Sequence, residues 1–287
     1  MFTVQSLTAI LNQLLPEPHA GLLAGILFGV KTNLDRGLYQ ALVTTGVLHI
    51  AALSGMNISL MTGFFGWLFQ LVFSKRIASL LTVLSVVCFV WFVGPSASVV
   101  RSAIMASLTL IAIVFGRQNW ALYSWILAVS CMLLLNFSWI TDLSFQLSAL
   151  ATLGMILFST NKSPSSDKDY FFSRSNSPSI LSYQRNIVSF LVCILYQELR
   201  LTLAAQVFTI PLIFFHFHRI SLISPITNIL IGWMIMPVSV FGWIAAIVGY
   251  VYLPAAIIPA WGAWGLLQYL ITVVTWTARI PFAGLAF

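Results

Sequence analysis

Nine polar residues sit in apolar surroundings where an unpaired polar group is expensive: His49, Ser54, Asn57, Ser96, Arg101, Asp142, Gln146, Gln206 and Asn228. None of them forms a hydrolytic or metal-binding pattern. There is no nucleophile elbow, P-loop, HExxH or paired-carboxylate arrangement, and the GVKT at 29–32 lacks the glycines of a phosphate loop. His216 and His218 stand apart from other metal ligands, and Cys88, Cys131 and Cys193 lie in apolar runs without CxxC spacing. The chemistry these residues offer is hydrogen bonding and a single buried positive charge. Such groups suit the wall of a polar path through lipid, and no catalytic role, cofactor or metal is expected.

The polar groups fall in four segments. In HIAALSGMNISLMTG, Ser54, Gly55 and Asn57 interrupt an apolar span, and Gly55, Ser59 and Gly63 recur at four-residue spacing as a smooth face. A break at Ser54–Asn57 exposes backbone groups that only protein or water can satisfy; a close helix contact without transport reads the same residues equally well. In GPSASVVRSA, Pro95 is expected in the first helical turn, with Arg101 a turn or so deeper. A central arginine costs about 2.5 kcal/mol or more, relieved by snorkelling to head groups or pairing with Asp142. In TDLSFQLSA, Asp142 and Gln146 share a face; Asp142 also reads as a helix cap. In ELRLTLAAQVFTIPLIFFHFH, Glu198, Thr202, Gln206 and Thr209 follow one stripe toward His216, and Pro211 frees the carbonyl of Val207. That stripe reads either as a water-facing wall or as hydrogen-bonding glue between helices.

The elements that position these groups must be membrane helices. Only 7% of the 287 residues are charged and 60% are hydrophobic, whereas a soluble domain is about a quarter charged. This excludes a soluble globular enzyme and a disordered chain. Apolar stretches predict about eight spans, some short or broken, near 48–73, 77–93, 99–116, 120–137, 143–159, 202–217, 224–250 and 254–276. Residues 187–199 either extend the sixth span or lie on the membrane. Residues 1–46 are expected as an N-terminal interfacial segment without a cleavable signal. Their Ala20–Val30 run is too short to cross, and Thr32 and Asp35 open an amphipathic helix carrying Leu34, Leu38 and Leu42. Residues 160–186 form a hydrophilic loop inside the 47–287 membrane domain. No internal repeat is evident.

Basic residues set the expected orientation. Lys75, Arg76, Arg117, Lys162, Lys168, Arg174 and Arg185 fall in alternate connections, which should be cytoplasmic, leaving both chain ends outside. The formal net charge of +7 is thus mainly a topology signal. The fold class is an all-α polytopic membrane protein.

These same segments resemble the ComEC/Rec2 competence family, a bacterial inner-membrane channel for single-stranded DNA. GILFGVKTNL, LVTTGVLHIAALSGMNISLMTG, GPSASVVRSAIMA, TDLSFQLSALATLG and LAAQVFTIPLIFFHFHRISLISPITNIL occur in the family's order across about 20–250. Many members carry His where this chain has Asn57. Members commonly add an OB-like domain before the core and a metallo-β-lactamase-like nuclease domain after it, and neither fits here, so the resemblance implies the membrane core alone. It implies single-stranded DNA and the lipid bilayer as partners, separate OB-like and nuclease subunits outside, and a cytoplasmic helicase. The nine residues named first are the matched positions, implied to line the translocation path. A small-solute or lipid transporter, and a non-conducting scaffold, remain the rival readings.

Overall fold

The computed structural model describes residues 3–30, 34–51, 55–115, 120–158, 180–217, 219–280 and 284–286. Its helices are α1 (Val4–Leu14), α2 (His19–Phe28), α3 (Arg36–Thr44), α4 (Gly55–Gln70), α5 (Lys75–Val93), α6 (Ala97–Val114), α7 (Ala121–Leu135) and α8 (Leu143–Phe158). Three more follow: α9 (Ile180–Phe217), α10 (Ser224–Val251) and α11 (Ile257–Ala278). Helices α4 to α11 overlap the eight expected spans in order, α4 covering only 55–70 of the first and α9 beginning well before the sixth. Five windows among the described residues are long and apolar enough to cross a bilayer, and α2, α7 and α8 are shorter apolar helices. The outer faces carry large apolar groups such as Trp91, 88% exposed, and Leu134, also 88% exposed. Water would not tolerate so large an apolar surface; acyl chains solvate it. The protein is a multi-pass membrane protein.

Local chemistry sets the helix ends. The Thr3 hydroxyl accepts from the Ser6 amide while the Ser6 hydroxyl accepts from Thr3, a capping box that starts α1. Asp35 is itself the N-cap of α3, taking the Gly37 amide at 3.1 Å. The expected capping role of Thr32 lies outside the described residues. Gly29 ends α2 with φ +68°, a left-handed conformation that glycine adopts without strain. Pro95 lies just outside α6, which Ser96 begins as N-cap, so the expected proline in the first turn is displaced by two residues. Helix α9 runs unbroken through Pro211 and absorbs residues 187–199 as an extension. Arg219–Ser221 pairs antiparallel with Gly284–Ala286, a short strand pair outside the sequence expectation.

The 48–73 span divides. Leu48–Ala51 is a separate 3-10 turn, and α4 starts at Gly55, so Asn57 lies in its first turn; residues 52–54 are outside the described residues. The interruption therefore falls before Asn57.

Helix α2 departs most from the expectation for 1–46. All ten of its residues are buried, against α10 and α11 as well as α1. Leu23 and Leu27 press on Gly242, and His19 Nε2 pairs with Gln268 Oε1 at 2.8 Å. A helix apolar on every side belongs inside a bundle, and length alone decides only whether it crosses. Helices α1 and α3 are amphipathic: they bury Leu7 and Leu11, and Leu38 and Leu42, and expose polar residues opposite.

Neighbouring helices pack in antiparallel pairs, but five of them also close a circuit. α4 packs on α6, α6 on α8, α8 on α9, α9 on α10, and α10 returns to α4. α5 and α7 lie outside that circuit, on α4 and α6 and on α6 and α8 respectively. The α8–α9 contact depends on Gly154, where a Cβ would collide with the Ala204 carbonyl. Gly63, by contrast, has nothing within 4 Å of a Cβ position, so the expected glycine face of α4 is used at Gly55 and not at Gly63. Gly154→Leu is expected to cost about 1–3 kcal/mol or prevent folding through overpacking. Gly63→Ala should leave the melting temperature in detergent unchanged or raised, by up to about 1 kcal/mol of helix propensity. Thermal unfolding of the two variants checks this contrast.

Candidate functional site: a ring of polar helix joints

Polar side-chain contacts hold three of the circuit's joints, and four of the nine sequence candidates, Asn57, Arg101, Gln206 and Asn228, lie there. α4 and α6 run parallel, and Gly55 abuts Ser102 so closely that a Cβ would overlap its hydroxyl. Arg101, one residue away and half-buried, bridges to the next helix: its Nε donates to Ser148 Oγ of α8 at 2.8 Å. Its other donors reach Ser102 Oγ at 3.4 Å and Met105 Sδ at 3.6 Å. The guanidinium is thus held by neutral groups. The pairing with Asp142 that its sequence position allowed is not the contact it makes.

Asp142 serves its own helix: Oδ1 accepts from the Ser144 amide at 2.9 Å, the N-cap pattern that also favours a carboxylate at the positive helix end. Gln146 turns back, its Nε2 donating to the Ile140 carbonyl at 2.7 Å, and its Oε1 is buried without a partner. The two do not act as one face. Ser96, the α6 N-cap, is exposed and makes no side-chain cap bond.

At the α9–α10 joint, Gln206 Nε2 donates to Ser224 Oγ at 3.0 Å, and Asn228 Nδ2 reaches the same oxygen at 3.4 Å. The turn after α3 closes on this cluster. Gly46 has φ +70°, and a Cβ there would press on Ser221 and Ser224. His49, three residues on, is exposed beside it in the 3-10 turn.

At the α10–α4 joint, Asn57 is only 1% exposed. Its Nδ2 donates to the Ile26 carbonyl and its Oδ1 accepts from Ser239 Oγ at 3.3 Å. Ile26 lies within the last turn of α2, where carbonyls lack intrahelical donors. Asn57 therefore satisfies a helix end and locks α2, α4 and α10 together. It is a strut, with both ends of its amide engaged. Ser224 and Ser239 are about 22 Å apart along α10 at 1.5 Å per residue, so one helix meets both ends of the α4–α6–α8–α9 row.

Of the polar stripe on α9, Thr209 is buried and returns its hydroxyl to the Ala205 carbonyl at 3.1 Å, while His216 is exposed with Nδ1 3.3 Å from the Leu212 carbonyl. Among the described residues of the stripe, Gln206 is the one bonded across a joint of the circuit. The side chain of Glu198, like Ser54, lies outside the described residues.

Reading the sequence for costly polar groups missed the serines that receive them. Ser148, Ser224 and Ser239 look innocuous because a serine in a membrane helix can satisfy itself on the preceding turn. The signal available was their place in the polar segments: Ser148 follows Gln146 in FQLSA, and Ser224 precedes Asn228 in SPITN.

Comparisons with known proteins agree with the ordered segments. Residues 26–287 match the family described as Competence protein. The chain belongs to the ComEC/Rec2 competence family. It is similar to ComE operon protein 3 of Bacillus subtilis (strain 168), 25% identical over 236 residues, which is 80% of this chain. The match covers 27% of that relative, so the chain spans about a quarter of the curated protein's length. No solved structure matches.

Because Arg101 carries a charge into the α6–α8 joint, the Arg101–Ser148 bond carries the clearest energetic expectation. A double-mutant cycle of Arg101→Met and Ser148→Ala should show coupling of about 1.5–3 kcal/mol, as for bonds to charged groups. Arg101→Lys should not restore it, since one ammonium cannot reproduce the guanidinium's spread of donors. Unfolding free energies in detergent provide the measurement. Asn57→Leu should cost about 1–3 kcal/mol by leaving a buried carbonyl unpaired.

Proposed function

We propose that this chain is the membrane core of a competence DNA importer and that single-stranded DNA passes through the ring formed by α4, α6, α8, α9 and α10. The observation that carries the reading is that a half-buried cation and neutral amides and hydroxyls share the joints of a closed helix circuit. Family membership adds the context of competence.

The chemistry fits a polyanion that must keep moving. Phosphates bind cations strongly, and each extra contact raises affinity and salt dependence. Conduction needs binding weak enough to release at each step. A single guanidinium can draw in a phosphate, and exchangeable partners at Ser148 and Gln206 can replace lost hydration as the strand advances. The unpaired Oε1 of Gln146 offers one more acceptor. In the described arrangement the polar groups mostly satisfy one another, which suits a closed passage whose bonds are traded for bonds to the strand on opening.

In the proposed orientation the connections carrying Lys75 and Arg76, and the 160–186 segment, face the cytoplasm of a bacterial inner membrane. The N-terminal ends of α4, α6 and α8 then face outward. DNA would arrive at Arg101 early and leave toward a cytoplasmic helicase, with OB-like and nuclease subunits acting outside. No catalytic step is assigned to this chain.

Transformation assays test the passage. Arg101→Ala and Gln206→Leu are expected to lower uptake at least tenfold while the protein still inserts at normal abundance. Wild-type transformation by both variants would remove the proposed lining. Orientation is checked with single cysteines: a membrane-impermeant thiol reagent should label Phe137→Cys on intact cells and should label Arg76→Cys only after permeabilisation.

A further inference from the structure

A groove of about 330 Å³ runs along α9 at the end of α8, away from the ring's polar joints. Arg200 stands at its rim, with Leu203, Ala204 and Val207 continuing along the same α9 face and Phe158 forming the opposite wall. Arg200 donates through one guanidinium nitrogen to the Phe158 carbonyl at 2.6 Å. Phe158 is the last residue of α8, where carbonyls lack intrahelical donors and the helix dipole is negative. That bond fixes the guanidinium in place, but a carbonyl neutralises none of its charge. We infer that this groove binds an anionic glycerophospholipid, with the phosphate on Arg200 and an acyl chain along Leu203 and Val207.

Three features select this occupant. The groove is lined by Phe158, the last residue of α8, after which the sequence turns hydrophilic with Lys162, Lys168 and Arg174, and in the proposed orientation this is the cytoplasmic membrane–water boundary. Tyr196, 64% exposed, is one turn from Arg200 on the side away from Leu203 and Val207, the amphipathic position aromatic side chains take at head-group level. Leu203 and Val207 are 46% and 55% exposed in the opposite direction, toward the bilayer interior. A cation at the boundary followed by an apolar trough matches a phosphate joined to an acyl chain. A nucleic acid would satisfy the cation and leave the trough unused. In the proposed orientation the leaflet is the cytoplasmic one, where anionic lipid attracts basic residues. The assignment does not depend on what passes through the ring.

The consequence is mechanical as well as chemical. Arg200 ties α8 to α9 next to the Gly154–Ala204 contact, so a lipid seated on it would brace one joint of the circuit.

The experiment uses the full chain in nanodiscs of phosphatidylcholine containing a minor fraction of phosphatidylglycerol. Native mass spectrometry after gentle release counts the lipids retained. The wild type should keep phosphatidylglycerol in preference to phosphatidylcholine. Arg200→Gln should reduce that preference by roughly tenfold, the scale of one lost charge-assisted contact. Arg200→Lys should retain a part of it. Arg76→Gln, the same change of charge at another basic connection, should leave it intact. Leu203→Asn should lower retention through the acyl chain. Equal preference in wild type and Arg200→Gln would overturn the proposal, and so would an equal loss in Arg76→Gln, which would make the effect one of surface charge alone. If Arg200→Gln reduced cross-linking to an oligonucleotide but left lipid retention unchanged, the cation would serve nucleic acid and the lipid assignment would fall.

Discussion

A guanidinium inside a membrane bundle keeps its charge and must find hydrogen-bond acceptors there, because lipid offers none. Arg101 finds them in Ser148, Ser102 and Met105, and that requirement organises the surrounding helices. It demands that α8 present a serine at the level of the sixth residue of its helix. It demands that α4 come close enough to enclose the same corner, which only a residue without a side chain, Gly55, permits beside Ser102. One charge thereby fixes the register of three helices. Neutral joints complete the circuit: Gln206 with Ser224, and Asn57 with Ser239.

The same constraint separates the proposed passage from a simple pore lined by basic residues. The polar groups at the joints largely satisfy one another, Gln146 Oε1 excepted, so the groups that would contact a strand in the proposed passage are also the ones that hold the helices together. In the proposed passage, opening would exchange partners without exposing unpaired groups to lipid. Asn57 is the exception, since both ends of its amide are committed to α2 and α10. Its place in the polar segment reflects assembly. At the α8–α9 joint the Arg200 bond to the Phe158 carbonyl borders the groove proposed to hold a lipid.

Most of the helix pattern was legible because lipid makes hydrophobicity and length nearly sufficient signals. The spans at 77–93, 143–159 and 224–250 agree closely with α5, α8 and α10. Where the reading strayed, a tertiary contact overrode a local rule. α2 looks too short to cross, and its burial follows from α10 and α11 covering it on the sides that lipid would otherwise meet. Gly63 completes a small-residue spacing but faces open space, because spacing on one helix says nothing about where its neighbour lies. Of the candidates, Arg101, Gln206, Asn228 and Asn57 were recognisable by cost alone. Which partner each takes was not, since Asp142 and Ser148 were both within sequence reach of Arg101 and only the packing of α6 on α8 decides between them.

The most direct test of the ring as the passage is site-specific photo-cross-linking during uptake of labelled DNA. A photoreactive residue at Met105, which shares the Arg101 guanidinium, should form an adduct with the incoming single strand, and one at Trp91 on the lipid-facing surface should form none. Adducts at Trp91 with none at Met105, or equal yields at both, would contradict a path through the ring.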